Sequence, residues 1–140
     1  MKKYILSSLF LMLALFSTAN LVAQQHQDDK NNYVVLTKKV PQLQPIILTA
    51  EALKAEEGED FGDFQVIICG KQIGDITNTH KMNKFIKKAE EAGVHLVACG
   101  FSLNKFKIDT TKVPEEMKVV ENGILYNFQL QKKGYKSLSL

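Results

Sequence analysis

The chain of 140 residues contains no arginine; all 18 of its basic residues are lysines. Bidentate guanidinium clamps on phosphate or carboxylate are therefore missing, which counts against a nucleotide or phosphopeptide site. Glycine-rich phosphate cradles are missing as well. Neither G-x-G-x-x-G nor G-x-x-x-x-G-K occurs, and GKQIGD, from Gly70 to Asp75, is too short to serve as one. No serine stands in G-x-S-x-G, so a hydrolase nucleophile elbow is excluded. Close ligand pairs of the C-x-x-C or H-x-x-x-H kind do not occur either, and neither a metal nor another cofactor is expected.

The chain begins MKKYILSSLFLMLALFSTANLVAQQ, with Lys2 and Lys3 ahead of an uncharged apolar run over residues 4–16 and small or polar residues beyond. This is the layout of a secretory signal peptide. The run is about a dozen residues, short of the roughly 20 that span a bilayer. Cleavage is expected after Ala23, so residues 1–23 are assigned as leader and the mature chain as periplasmic or secreted, free of the membrane. No cysteine follows the run, which excludes lipid modification of a cysteine there. The formal charge of +3 drops to +1 without the leader, leaving 16 lysines against 15 acidic residues. Such a balance gives no reason to expect a nucleic-acid partner. The remaining length suits one domain with a single core.

Residues 24–32, QQHQDDKNN, are polar and aperiodic and read as a flexible lead-in, leaving 33–140 as the folded domain. YVVLT (33–37) has strand composition. A helix is expected over 43–57, where Ile46, Ile47, Ala50 and Leu53 recur at helical spacing. FQVIICG (64–70) reads as a buried strand. After the connection KQIGDIT comes an amphipathic helix, with Thr79 as N-cap and 80–92 as body. Met82, Phe85, Ile86 and Ala89 form its apolar face, and Gly93 closes it. VHLVACG (94–100) is the next strand, 101–106 a short helix, and MKVV (117–120) a short strand. Asn122 can cap a last helix ending at Gly134, and YKSLSL alternates as an edge strand should. Strands and helices that alternate in this way, with mostly continuous apolar strands, predict an α/β domain: a parallel sheet of about five strands with helices on both faces. Ligands and chemistry then belong at the C-terminal strand edge.

Two cysteines occupy that edge. ICGKQIGD and ACGFSLNK each run from an apolar strand through Cys-Gly into a turn, and Cys69 and Cys99 lie one βαβ unit apart. They need not touch. With the first strand between them, as in flavodoxin-like orders, the backbones would stand about 10 Å apart, against the under 7 Å that a disulfide requires. Cys99 has the stronger claim to chemistry. A thiol at a strand end directly before a helix sits near free N–H groups and the positive end of a helix dipole, and Lys105 and Lys107 follow closely. An exposed, activated thiolate is one reading of Cys99; a small residue filling the core is the other.

The segment from Val94 to the C-terminus resembles the DsrE/DsrF-like family of sulfur-relay proteins. Cys99, Gly100, Ser102 and Leu103 match its Cys-Gly-x-Ser/Ala-Leu turn, Val119, Val120 and Gly123 its middle, and Gln131, Gly134 and Tyr135 its close. The resemblance implies a DsrE-like α/β domain, assembly into trimers or hexamers, and a persulfide carried on Cys99; Gly100 and Ser102 of the matched turn and the nearby positive charge of Lys105 are expected to support it. It implies nothing for Cys69. The function it suggests is that of an exported sulfur carrier or thiol-based sulfurtransferase exchanging sulfur with a donor or acceptor protein. The alternative is a non-catalytic oligomeric binding or assembly module that keeps the fold. Cys69 and His80 are secondary candidates. His80 opens a helix at the cysteine edge and could assist a thiol, although a solvated helix-terminal His accounts for it equally simply. His95 shares a strand face with Cys99 but lies about 13 Å away along it.

Overall fold

The computed structural model describes residues 30–140. The expected leader and most of the expected lead-in fall outside the described residues.

Apolar runs set the strands. β1 (Asn31–Thr37), β2 (Phe61–Ile68), β3 (Val94–Cys99), β4 (Lys118–Val120) and β5 (Lys136–Ser139) form one sheet in the order β4-β3-β2-β1-β5, with every pairing parallel. β1 starts at Asn31, two residues inside the expected lead-in, because the Asn32 side chain accepts the Asp63 N–H at 2.7 Å and draws that end onto β2. The connecting helices are α1 (Leu43–Glu57), α2 (Thr79–Ala92), α3 (Gly100–Lys105) and α4 (Gly123–Lys132).

The residues that alternate across the strands are covered on both sides, as a parallel sheet requires. Phe64, Val66 and Ile68 of β2 and Val94, Leu96 and Ala98 of β3 lie on the face covered by α1 and α2, which pack on each other. Leu43, Ile46, Ile47 and Ala50 on α1, and Met82, Phe85, Ile86 and Ala89 on α2, are the buried stripes, each at i, i+3, i+4, i+7. The opposite face carries Ile67, Cys69, Val97 and Cys99 and is covered by α4. Helices thus lie on both faces, as expected.

Three details differ from the sequence reading. The cap of α2 is Asn78, whose side chain accepts the Lys81 N–H at 3.0 Å, so Thr79 is already helical. KQIGDIT is a 3-10 helix, Lys71–Thr77, whose Ile73 and Ile76 are fully buried. Most consequential is the strand order. The first strand does not separate the two cysteine-bearing strands; β2 and β3 are direct neighbours. The reason is that both early crossovers lie on one face, so the chain steps steadily from β1 to β3, and only α4 on the far face carries it back to pair β5 with β1.

The start of α4 is fixed by Asn122, whose Oδ1 accepts the Ile124 and Leu125 N–H groups at 3.0 and 3.2 Å. Asn122→Ala is expected to cost about 1 kcal/mol, read as a lower urea midpoint at unchanged m-value. An unchanged midpoint would show that the cap is dispensable.

Candidate functional site

The register that pairs Ile68 with Ala98 brings Cys69 and Cys99 to the ends of adjacent strands. Both are free thiols and both are buried, Cys69 at 6% exposure and Cys99 at 2%. The expectation of a solvent-open Cys99 therefore does not hold, because the first turn of α4 lies directly over the pair. A Cβ placed on Gly123 would stand 2.5 Å from Cys69 Sγ, 2.8 Å from a methyl of Ile67 and 3.0 Å from Cys99 Cβ. Only a residue without a side chain lets the helix start approach this closely. Gly100 is similarly constrained, since its Cβ would meet the Val120 carbonyl oxygen at 2.8 Å.

Close approach places polar groups on the sulfur. The Gly123 N–H, at the head of α4, donates to Cys99 Sγ at 3.2 Å. Ser102, buried in α3, accepts the Gly70 N–H on its Oγ at 2.9 Å, which leaves its own hydroxyl proton to donate elsewhere. Burial acts to raise the Cys99 pKa, but hydrogen bonds from the Ser102 hydroxyl, the Gly123 and Ser102 amides and the Cys69 thiol together bring it below its ordinary value. Cys69 moves the other way. Burial, the facing Cys99 charge and the hydrogen bond to it push Cys69 up to about 12. The two shifts run in opposite directions, so Cys99 is the thiol of the pair that ionises first and Cys69 the one that keeps its proton longer.

Lys105 and Lys107 are not part of this environment. Lys105 reaches instead over the Phe106 ring, 6.0 Å from its centroid, and Lys107 is exposed in a turn at φ 54°. Anion stabilisation here comes from amides and a hydroxyl rather than from ammonium groups. His80 is exposed at the second position of α2 and makes no hydrogen bond or ion pair to either cysteine.

A second polar cluster occupies the same sheet face at its other end. The Tyr135 hydroxyl donates to Asp63 Oδ2 at 2.6 Å, the Tyr126 hydroxyl to Gln65 Oε1 at 2.9 Å, and Lys118 Nζ to the Tyr126 oxygen at 3.1 Å, while His95 Nε2 lies 3.3 Å from Asp63 Oδ1. His95 is thus engaged well away from the thiols. Asp63, Gln65, His95, Lys118 and Tyr126 line part of an open groove of about 670 Å³ beside β3. Near the thiols, the outward side of α4 presents Ile124, Leu125 and Phe128, each more than half exposed.

The sequence names Gly123 and the secondary candidate Cys69 without conveying how they meet at Cys99. Gly123 was matched only as part of a motif, yet a glycine at the first position of a helix, where propensity disfavours it, signals a close approach. The nearness of Cys69 to Cys99 depends on strand order, which periodicity leaves open.

No protein-family model matches the chain, and no curated protein matches it. Among solved structures it is similar to a protein of unknown function, MTH1491 from Methanobacterium thermoautotrophicum, with TM-score 0.67 and 15% identity, covering 80% of this chain and all of that one. It is also similar to a conserved protein of unknown function, BT1422 from Bacteroides thetaiotaomicron, with TM-score 0.60 and 18% identity, covering 81% of this chain and 96% of that one. These likenesses concern the fold. The described residues form one parallel α/β domain, an architecture consistent with a DsrE-like fold.

Proposed function

We propose that the chain is an exported sulfur carrier in which Cys99 takes up sulfane sulfur as a persulfide and passes it to an acceptor thiol. The observation that carries this reading is the Gly123 N–H on Cys99 Sγ at 3.2 Å, reinforced by Ser102, in a site where burial alone would keep the thiol protonated. The thiolate is the nucleophile, and the same donors suit the charge of a bound persulfide. Ser102 and Gly100 support the site, the first as donor and the second by letting α3 pack beneath the β4 end. Since Cys99 is 2% exposed, sulfur enters and leaves when the α4 start lifts from the sheet. The donor and acceptor are proteins or small sulfur compounds able to reach that opening. Self-association into trimers or hexamers would cover Ile124, Leu125 and Phe128.

Incubation with inorganic polysulfide followed by intact-mass measurement tests the reading. One sulfur atom is expected to add to the wild type and none to Cys99→Ser. Absence of the addition, or its persistence in Cys99→Ser, would reject it.

The exposed apolar side of α4 favours a second reading, an assembly or binding module in which Cys99 merely packs. It implies slow alkylation of Cys99 across neutral pH, whereas the carrier reading implies fast alkylation with an apparent pKa well below about 8.5.

A further inference from the structure

We infer that Cys69 is a resolving thiol: when no acceptor arrives, it attacks the Cys99 persulfide, closes a Cys69–Cys99 disulfide and releases the carried sulfur as hydrogen sulfide. The inference rests on the persulfide reading of Cys99 and adds a role for a residue that neither the family resemblance nor the comparisons assign.

Three observations carry it. The two thiols end adjacent parallel strands, one register step beyond the Ile68–Ala98 pair, and strands so paired lie about 4.8 Å apart, within the Cα separation that a disulfide spans. Their side chains face the same side of the sheet and meet under Gly123, where the missing Cβ leaves room for both sulfurs. Cys69 also lies just past the last β2 residue and before Gly70, whose φ of 87° marks a turn able to absorb the small shift that bond formation needs.

The chemistry closes without an outside oxidant. Cys69 Sγ forms a bond to Cys99 Sγ, the bond from Cys99 Sγ to the carried sulfur breaks, and the electron pair leaves on that sulfur as hydrosulfide. The Cys69 sulfur is oxidised and the carried sulfur is reduced, while Cys99 Sγ exchanges one S–S bond for another and keeps its oxidation level. The proton displaced from Cys69 passes to the hydrosulfide, giving hydrogen sulfide. The thiolate is the attacking form, so Cys69 gives up its proton as the S–S bond forms; in the persulfide Cys99 Sγ no longer bears the charge that, beside burial, holds the proton on Cys69. Attack falls on Cys99 Sγ because the two side chains converge beneath Gly123, where a Cβ would stand 2.5 Å from Cys69 Sγ and 3.0 Å from Cys99 Cβ. An external thiol then reopens the disulfide in two exchange steps.

The test is a single-turnover discharge. The reduced protein is loaded anaerobically with inorganic polysulfide, desalted, and followed by intact mass, hydrogen sulfide release and free-thiol count. Wild type is expected to lose the added sulfur, release one hydrogen sulfide per loaded chain and lose both alkylatable thiols. Cys69→Ser and Cys69→Ala are expected to keep the sulfur at least tenfold longer. Two variants are used so that a folding defect in one does not decide the result, and a chain with native circular dichroism is required of each. Equal lifetimes in wild type and both variants would overturn the resolving role while leaving the carrier reading intact. Recovery of the sulfur on Cys69 without hydrogen sulfide release would overturn it equally. Failure of all three proteins to take up sulfur would reject both.

Discussion

Gly123→Ala is expected to destabilise the protein by about 2 kcal/mol and to raise the apparent pKa of Cys99. Overpacking of a filled core typically costs about 1–3 kcal/mol, and here the added methyl would meet Cys69 Sγ at 2.5 Å, Ile67 at 2.8 Å and Cys99 Cβ at 3.0 Å. None of these neighbours is the free end of a long side chain, so the start of α4 must move. Movement lengthens the 3.2 Å hydrogen bond from the Gly123 N–H to Cys99 Sγ, and the anion loses a donor. Chemical denaturation reads the first effect and a pH series of iodoacetamide alkylation the second. A double-mutant cycle locates the clash: since the shortest contact is to Cys69, Cys69→Ala should recover part of the loss, with a coupling of at least about 0.5 kcal/mol. Strict additivity would show that the pressure falls elsewhere, and an unshifted alkylation profile would remove Gly123 from the thiolate site.

The dependence of the site on Gly123 explains what the sequence could and could not convey. Periodicity read the strands and helices well because each is a local consequence of side-chain alternation: Met82, Phe85, Ile86 and Ala89 must share a helix face whatever they pack against. It also read Cys99 as a strand end leading into helix, which depends on neighbours in sequence alone. Neighbours in space are another matter. Whether β1 lies between β2 and β3 or outside them depends on which face each crossover takes, and loops of similar length permit either. Hence the sequence leaves the Cys69–Cys99 separation open between the two strand spacings of a flavodoxin-like order and the single spacing that the sheet has. Gly123 reaches Cys99 across 24 positions of sequence, so no local pattern announced the hydrogen bond. Lys105 erred in the opposite direction. Six residues from Cys99 in sequence, it is carried by α3 to the Phe106 ring, and proximity along the chain did not become proximity to the charge.

Stability should fall steeply as the pH rises above about 9, on the order of 4 kcal/mol by pH 12 from Cys69 alone. The folded state raises Cys69 from 9.0 to about 12, chiefly by burial. Between those values the unfolded chain has lost a proton that the folded chain retains. Because stability changes with pH in proportion to protons bound unfolded minus protons bound folded, it decreases by about 1.4 kcal/mol per pH unit in that window. Tyr33 acts in the same direction, pushed up to about 12 by burial and by its hydrogen bond to Glu57, and so does Tyr135, raised by burial and by donation to Asp63. Cys99 has the opposite sign. Its lowered value makes its contribution present above 9.0 and lost as the pH falls through the folded pKa, so the stability curve should climb toward 9.0 before the fall begins. Urea midpoints across this range measure the profile, and two substitutions dissect it. Tyr135→Phe should flatten the fall at its upper end, and Cys69→Ala should flatten it from about pH 9 upward despite a lower absolute stability from the lost sulfur. If the wild type and Cys69→Ala declined in parallel, the proton held between the two cysteines would not be where the geometry puts it, and the division of the pair into a charged Cys99 and a protonated Cys69 would fail with it.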